Sequence, residues 1–236
     1  MIYILRFILI HLVVLLLKST FIFYNKRIGG VFMIKSIKNS CEHEIVVNKS
    51  RFIGIVVYLQ SIEDVSSYLE FYKNKYPEAT HYCYAYIYDG MMKANDDGEP
   101  AKTAGIPILN VLQKQELNHV LAIVVRYFGG IKLGAGGLVR AYSQATSQTL
   151  LNANFVIYEL KPLYKICFDY TFTKQIDHYI KTMNILLINK EYDEKVTYTC
   201  FIDNEQFFDF LQETTSNQYQ KQYLRDEYVE KEVLHE

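Results

Sequence analysis

The chain has no tryptophan, and only four prolines and four cysteines among its 236 residues. Cys41, Cys83, Cys167 and Cys200 stand far apart and form no Cys-x-x-Cys pair. That spacing excludes a zinc ribbon and a dense disulfide framework, and it reads as reduced thiols in a cytosolic protein. An excess of charge of one sign is also missing: 25 Lys and Arg stand against 26 Asp and Glu, a formal −1. Bulk charge therefore cannot hold a polyanion, and any nucleic-acid binding must be local. One local zone stands out. From Leu117 to Tyr158 there is no Asp or Glu, which predicts a positive surface there. Apolar material is plentiful, with half the residues hydrophobic and 15% aromatic, ample for a packed core and inconsistent with disorder.

A long uninterrupted hydrophobic run is absent as well. Residues 2–24 come nearest, but Arg6, His11 and Lys18 break them up. The longest part free of Lys and Arg, Phe7 to Leu17, is shorter than the roughly 20 residues a spanning helix needs. No small-residue cleavage site follows, as a signal peptide would require. Ile28-Gly29-Gly30 is what a purine-rich AGGAGG ribosome-binding site would encode in frame, just ahead of Met33. Met33 is thus expected to be the initiator, with residues 1–32 a translated leader. A hydrophobic N-terminal membrane anchor is the alternative, and no stable membrane association is expected if Met33 is the start.

From there the pattern is that of a soluble α+β protein. Residues 44–60 read as strand material around a polar break at Asn48 to Arg51. A Ser-x-x-Asp signal at Ser61 then opens a helix that runs toward Pro77. "THYCYAYIYDG" alternates as a strand into an Asp-Gly turn, and a loop leads into a helix over about Gly105 to Gln113. "HVLAIVVRYF" is a continuous apolar run of the kind buried on both faces of a sheet. Leu138, Ala141, Tyr142, Ala145 and Thr149 mark an amphipathic helix after it. From about Lys161 the pattern restarts as strand 162–170, helix 173–184, strands 185–190 and 195–202, helix 204–216 and a last strand near 219–225. That β-α-β-β-α-β order is the ferredoxin-like arrangement. The charge balance shifts at the same place, from twelve cations and twelve anions over 33–159 to nine and fourteen over 160–236. Two domains, 33–159 and 160–236, are expected.

Five of the eleven glycines fall between Gly129 and Gly137, with Arg126, Lys132 and Arg140 in or beside them. A strand that enters a glycine-rich turn and then a helix aims backbone N–H groups at an anion, and the helix N-terminus adds partial positive charge. The candidate anion- or RNA-binding set is Arg126, Gly129, Gly130, Lys132, Gly134, Gly136, Gly137 and Arg140. The competing reading is structural, with the glycines serving tight turns and close helix–strand packing. A P-loop is excluded because no glycine precedes Lys-Ser or Lys-Thr. A dinucleotide fingerprint is excluded because Val139 stands where Gly or Ala is needed.

"NDDGEPAKTAGIPILNVL" and "VVRYFGGIKLGAGGLVRAYSQA", with "KSRFIGIV" and "ATHYCYAY" before them, strongly resemble the YigZ/IMPACT family over about residues 35–155. The region beyond resembles the small ferredoxin-like domain of bacterial members in element order only. The resemblance implies an α+β N-terminal domain like the second domain of a small-subunit ribosomal protein and the fourth domain of the elongation factor EF-G. It also implies a cytoplasmic, translation-associated regulatory role, with RNA, the ribosome or a translation-related protein as partner.

The remaining candidates are plainer. Asp96, Asp97 and Glu99 form an acidic loop that could be solvated, hold a hard cation, or neutralise Lys132 and Arg140. His81 and Cys83 share a strand face and are too few for zinc. Neither Ser143 nor Ser147 lies in Gly-x-Ser-x-Gly. Tyr82, Tyr84, Tyr86 and Tyr88 line one strand face as core, interface or base-stacking surface. Phe207, Phe208 and Phe210 read as helix core. No catalytic residue, metal or cofactor is assigned. The expected function is binding through the glycine-rich loop. A small enzyme acting on a phosphorylated metabolite or nucleotide at the same loop, or a pure protein-binding module, are the alternatives.

Overall fold

The computed structural model describes residues 26–28 and 31–231, so the reading of residues 1–32 as leader or anchor lies for the most part outside the described residues. The chain forms two compact units that meet between Tyr158 and Glu159. Among the described residues, no helix is long and apolar enough to cross a membrane.

The first unit opens with the hairpin β1 (Lys26–Ile28) and β2 (Val31–Ile37). It then builds a five-stranded antiparallel sheet from β3 (Cys41–Val47), β4 (Ser50–Tyr58), β5 (His81–Tyr88), β6 (Met91–Asn95) and β7 (Val120–Tyr127). The order across the sheet is β3-β4-β7-β5-β6. Two hairpins follow directly from turn chemistry. Asn48 and Lys49 both have positive φ between the paired residues Val47 and Ser50, and Asp89 and Gly90 do the same between Tyr88 and Met91. Left-handed backbone at both central positions is what a two-residue turn of the favoured twist needs. Strand β6 was not visible in the sequence, because Met-Met-Lys-Ala-Asn neither alternates nor carries β-branched residues.

Three helices cover the sheet: α1 (Asp64–Lys75), α2 (Gly105–Lys114) and α3 (Gly134–Leu150). The strand period of two sorts the core between them. Val120, Ala122 and Val124 share a buried cluster with Ile108, Leu112, Leu138, Ala141 and Tyr142 from α2 and α3. Leu121, Ile123 and Val125 share another with Ile53, Ile55, Val65 and Tyr72 on the side of α1. Helices on both faces of β7 explain its unbroken apolar sequence, although every neighbour is antiparallel. The tyrosines 82, 84, 86 and 88 pack half-buried against the α1 side, which answers their reading in favour of the core. Gly54 lets α3 settle onto β4, since a Cβ there would stand 2.2 Å from Thr149 Oγ1 and 2.9 Å from the Ala145 carbonyl oxygen.

Strand β8 (Phe155–Phe168) runs across the boundary. The second unit continues with α4 (Thr173–Thr182), β9 (Leu187–Tyr192), β10 (Val196–Phe201), α5 (Gln206–Thr215) and β11 (Tyr219–Glu230). Its strands lie in the order β11-β8-β10-β9. Ile166, Phe168, Ile176, Tyr198, Phe207 and Leu211 anchor its core, with Phe208 buried and Phe210 packed at its edge.

Candidate functional site

Gly129 and Gly130 lie in the link from β7 to α3, and Gly134, Gly136 and Gly137 at the start of α3; their reasons for being glycine differ. Gly129 answers a close approach: a Cβ there would lie 2.1 Å from the Lys49 carbonyl carbon and oxygen in the β3–β4 turn. Its amide donates to Ser50 Oγ at 3.1 Å. Gly130 and Gly134 have positive φ. Gly136 answers neither need. Its φ is unremarkable for the helix, it is exposed, and a Cβ would meet nothing within 4 Å. It sits in the first turn of α3, whose N-terminus has no side-chain cap and no acid. Arg140 lies four residues on, over the same helix face, and Lys132 precedes the helix. Both are exposed and, among the described residues, make no ion pair. Exposed Phe128, Ile131 and Val139 stand among them.

Arg126 departs from the sequence reading. It was expected to reach a phosphate, but it is only 5% exposed. Its position on β7 has the parity of Val120, Ala122 and Val124, so it points inward at the end of the α2/α3 face. Its Nη1 donates to Glu99 Oε1 at 2.5 Å, and its Nη2 reaches Ser50 Oγ at 3.5 Å. The guanidinium lies over two rings, 5.3 Å from the Phe52 centroid and 5.4 Å from that of Phe128. Glu99 also accepts from Tyr142 Oη at 2.8 Å. A buried ion pair held by a further hydrogen bond is stable only while each partner is present.

The acidic loop is therefore structural in its details. The acid that pairs with a cation of the candidate set is Glu99, and its partner is Arg126, not Lys132 or Arg140. Asp96 Oδ1 accepts from the amides of Ala104 (3.0 Å) and Gly105 (2.8 Å), and Oδ2 from Lys102 (2.7 Å). Its carboxylate thus caps the start of α2. Asp97 Oδ2 accepts from the Tyr82 amide at 2.7 Å. Backbone amides thus engage both oxygens of Asp96 and one of Asp97.

His81 and Cys83 complete the cluster. His81 Nδ1 lies 2.7 Å from the Asp97 carbonyl oxygen. A carbonyl only accepts, so Nδ1 carries the proton and Nε2 faces Glu99 Oε1 at 3.8 Å. The Cys83 thiol donates to the Asp96 carbonyl at 3.0 Å and lies 3.3 Å from Tyr142 Oη. Burial pushes that thiol up to about 12, and does the same at Cys200. Burial likewise raises Tyr142 far above an ordinary phenol and raises Cys41. A thiol with a raised pKa holds little thiolate near neutrality. In the folded protein at pH 8, N-ethylmaleimide should therefore label the half-buried Cys167 within minutes. Cys41, Cys83 and Cys200 should react only after denaturation. Mass mapping of the alkylated peptides checks this, and rapid labelling of Cys83 would contradict the buried cluster.

This Ser50–His81–Cys83–Glu99–Arg126–Tyr142 cluster was missed from sequence, although one signal was present. An arginine at an inward-parity position of an apolar strand must find a buried acid, and Glu99 stands in a loop rich in turn residues. The six residues come from all four segments on which the family resemblance rests. The fold thus gathers those segments around one ion pair, beneath the glycine turn.

Comparison with known proteins agrees. Residues 48–150 match the profile of the Impact N-terminal domain. The chain is 36% identical over 206 residues to the IMPACT family member YvyE of Bacillus subtilis, covering 85% of this chain and 95% of that protein. It is 38% identical over 109 residues to the IMPACT family member YigZ of Escherichia coli, covering 44% of this chain and 53% of that one. A solved structure described as a hypothetical protein superposes with a TM-score of 0.61 at 26% identity, over 82% of this chain and 98% of that one. The matched profile and the similarity to YvyE over most of both chains converge on one conclusion: the chain belongs to the IMPACT family.

Proposed function

We propose that the protein is a cytoplasmic, translation-associated binding protein that holds RNA backbone on the exposed surface from Phe128 to Arg140. Lys132 and Arg140 supply the phosphate contacts, and the free amides at the start of α3 allow close approach. Arg126 braces the turn from below and touches no phosphate. The observation that carries this reading is Gly136. Folding does not require a glycine there, yet it leaves the helix start bare between two unpaired cations. The acid-free stretch from Leu117 to Tyr158 supports it by removing local repulsion. The enzyme alternative is weakened because Asp96 and Asp97 are engaged by backbone amides.

The double variant Lys132→Ala/Arg140→Ala should weaken RNA binding alike for unrelated sequences. Each lost phosphate contact should also reduce the slope of log K against log salt by about 0.7 for single strands. Titrations with labelled RNA at several salt concentrations measure it. An unchanged slope would remove the phosphate role from these two residues.

A further inference from the structure

Phe128 is 46% exposed although the backbone on either side of it is held. Its amide donates to Thr80 Oγ1 at 3.0 Å, and the next residue, Gly129, is locked against Lys49 and Ser50. Its ring contacts the Arg126 guanidinium, which also lies over the buried ring of Phe52. The cation thus links the buried ring of Phe52 to the exposed ring of Phe128. The guanidinium is held in turn by Glu99, so the outer ring rests on a rigid support. Exposed Lys132 and Arg140 follow it along the chain, with apolar Ile131 and Val139 next to them in sequence, and exposed Lys49 lies in the turn against which Gly129 packs.

From this we infer that Phe128 is a stacking platform for an unpaired nucleobase, so that the surface takes single-stranded RNA in preference to a duplex. The inference rests on the reading of this surface as an RNA-backbone site and adds what lies between the phosphates. A flat aromatic face flanked by cations suits a base whose backbone runs past on either side. Duplex RNA keeps its bases inside the stack and offers the ring nothing but sugar and phosphate. A preordered ring also loses little side-chain freedom on binding. Charge complementarity favours the anionic strand over an apolar peptide, which would leave Lys132 and Arg140 unanswered.

The test uses the full chain and two probes, a single-stranded RNA of mixed sequence about twelve nucleotides long and the same strand fully paired. The chain has no tryptophan, so Phe128→Trp places its one indole at the platform. Single-stranded RNA should quench that indole strongly and the duplex should not. Phe128→Leu, which keeps an apolar side chain but no ring, should lose about five- to a hundredfold in single-strand affinity while duplex affinity stays within about twofold. Retained duplex binding also shows that the variant is folded. An unquenched indole at saturating single strand, equal quenching by the duplex, or undiminished single-strand affinity of Phe128→Leu overturns the inference and leaves the phosphate reading standing. If wild-type protein binds neither RNA, both fall together. Quenching by an acidic peptide without any by RNA assigns the surface to a protein partner and likewise overturns it.

Discussion

Glu99→Ala should destabilise the first unit by about 3–5 kcal/mol, because it leaves Arg126 charged and buried with no counter-ion. The side chains of Arg126 and Glu99 are 6% and 3% exposed, so water cannot replace the lost carboxylate. Tyr142 would lose its acceptor in the same step, and unmet buried donors add to the effect. Urea unfolding followed by far-UV circular dichroism measures it as a lower midpoint at unchanged slope. The control is the double variant Arg126→Met/Glu99→Leu. With Phe52 and Phe128 already flanking the guanidinium, an apolar pair should pack there and recover much of the loss. Such recovery is the behaviour of buried ion pairs replaced as a unit. A Glu99→Ala variant within about 1 kcal/mol of wild type would mean that the pair is not desolvated as described.

The second large effect separates the glycines. Gly129→Ala drives a Cβ to 2.1 Å from the Lys49 backbone, where no side chain can rotate away. Either the β3–β4 turn or the β7–α3 link must move, at roughly 1–3 kcal/mol or more. Gly136→Ala meets open space on a helical backbone and should raise stability by about 0.5–1 kcal/mol, since alanine loses less freedom on folding. The same urea experiment reads both. A neutral Gly129→Ala or a destabilising Gly136→Ala would show that the turn is not packed in this way. If Gly136→Ala also weakens RNA binding while gaining stability, the missing side chain serves the ligand and not the fold.

Much of the architecture was legible in advance because it is local. Alternation in "THYCYAYIYDG", the spacing of Leu138, Ala141, Tyr142 and Ala145, and the β-α-β-β-α-β order beyond Lys161 each depend on near neighbours along the chain. The observed strands and helices follow them within a few residues, except that β8 begins at Phe155, well ahead of the expected residue 162. A locally positive surface was legible too, from the stretch without acids between Leu117 and Tyr158. Strand β6 was hidden, because its pairing with β5 comes from the Asp89-Gly90 turn and not from its own composition.

Sequence by itself determined the α+β class, the apolar stripes that bury β7 and α3, and the family. Tertiary structure alone decided what Arg126 does. Its partners Glu99 and Ser50 lie 27 and 76 residues away, and Tyr142 reaches Glu99 from 43 residues further on. Contacts at such separation depend on the register that sets His81 opposite Arg126 and on the Asp96 cap that folds the loop back. No periodicity encodes either. The charge that sequence assigned to a ligand therefore lies inside the protein, where desolvation requires a carboxylate beside it, and the surface is left to Lys132, Arg140 and Phe128.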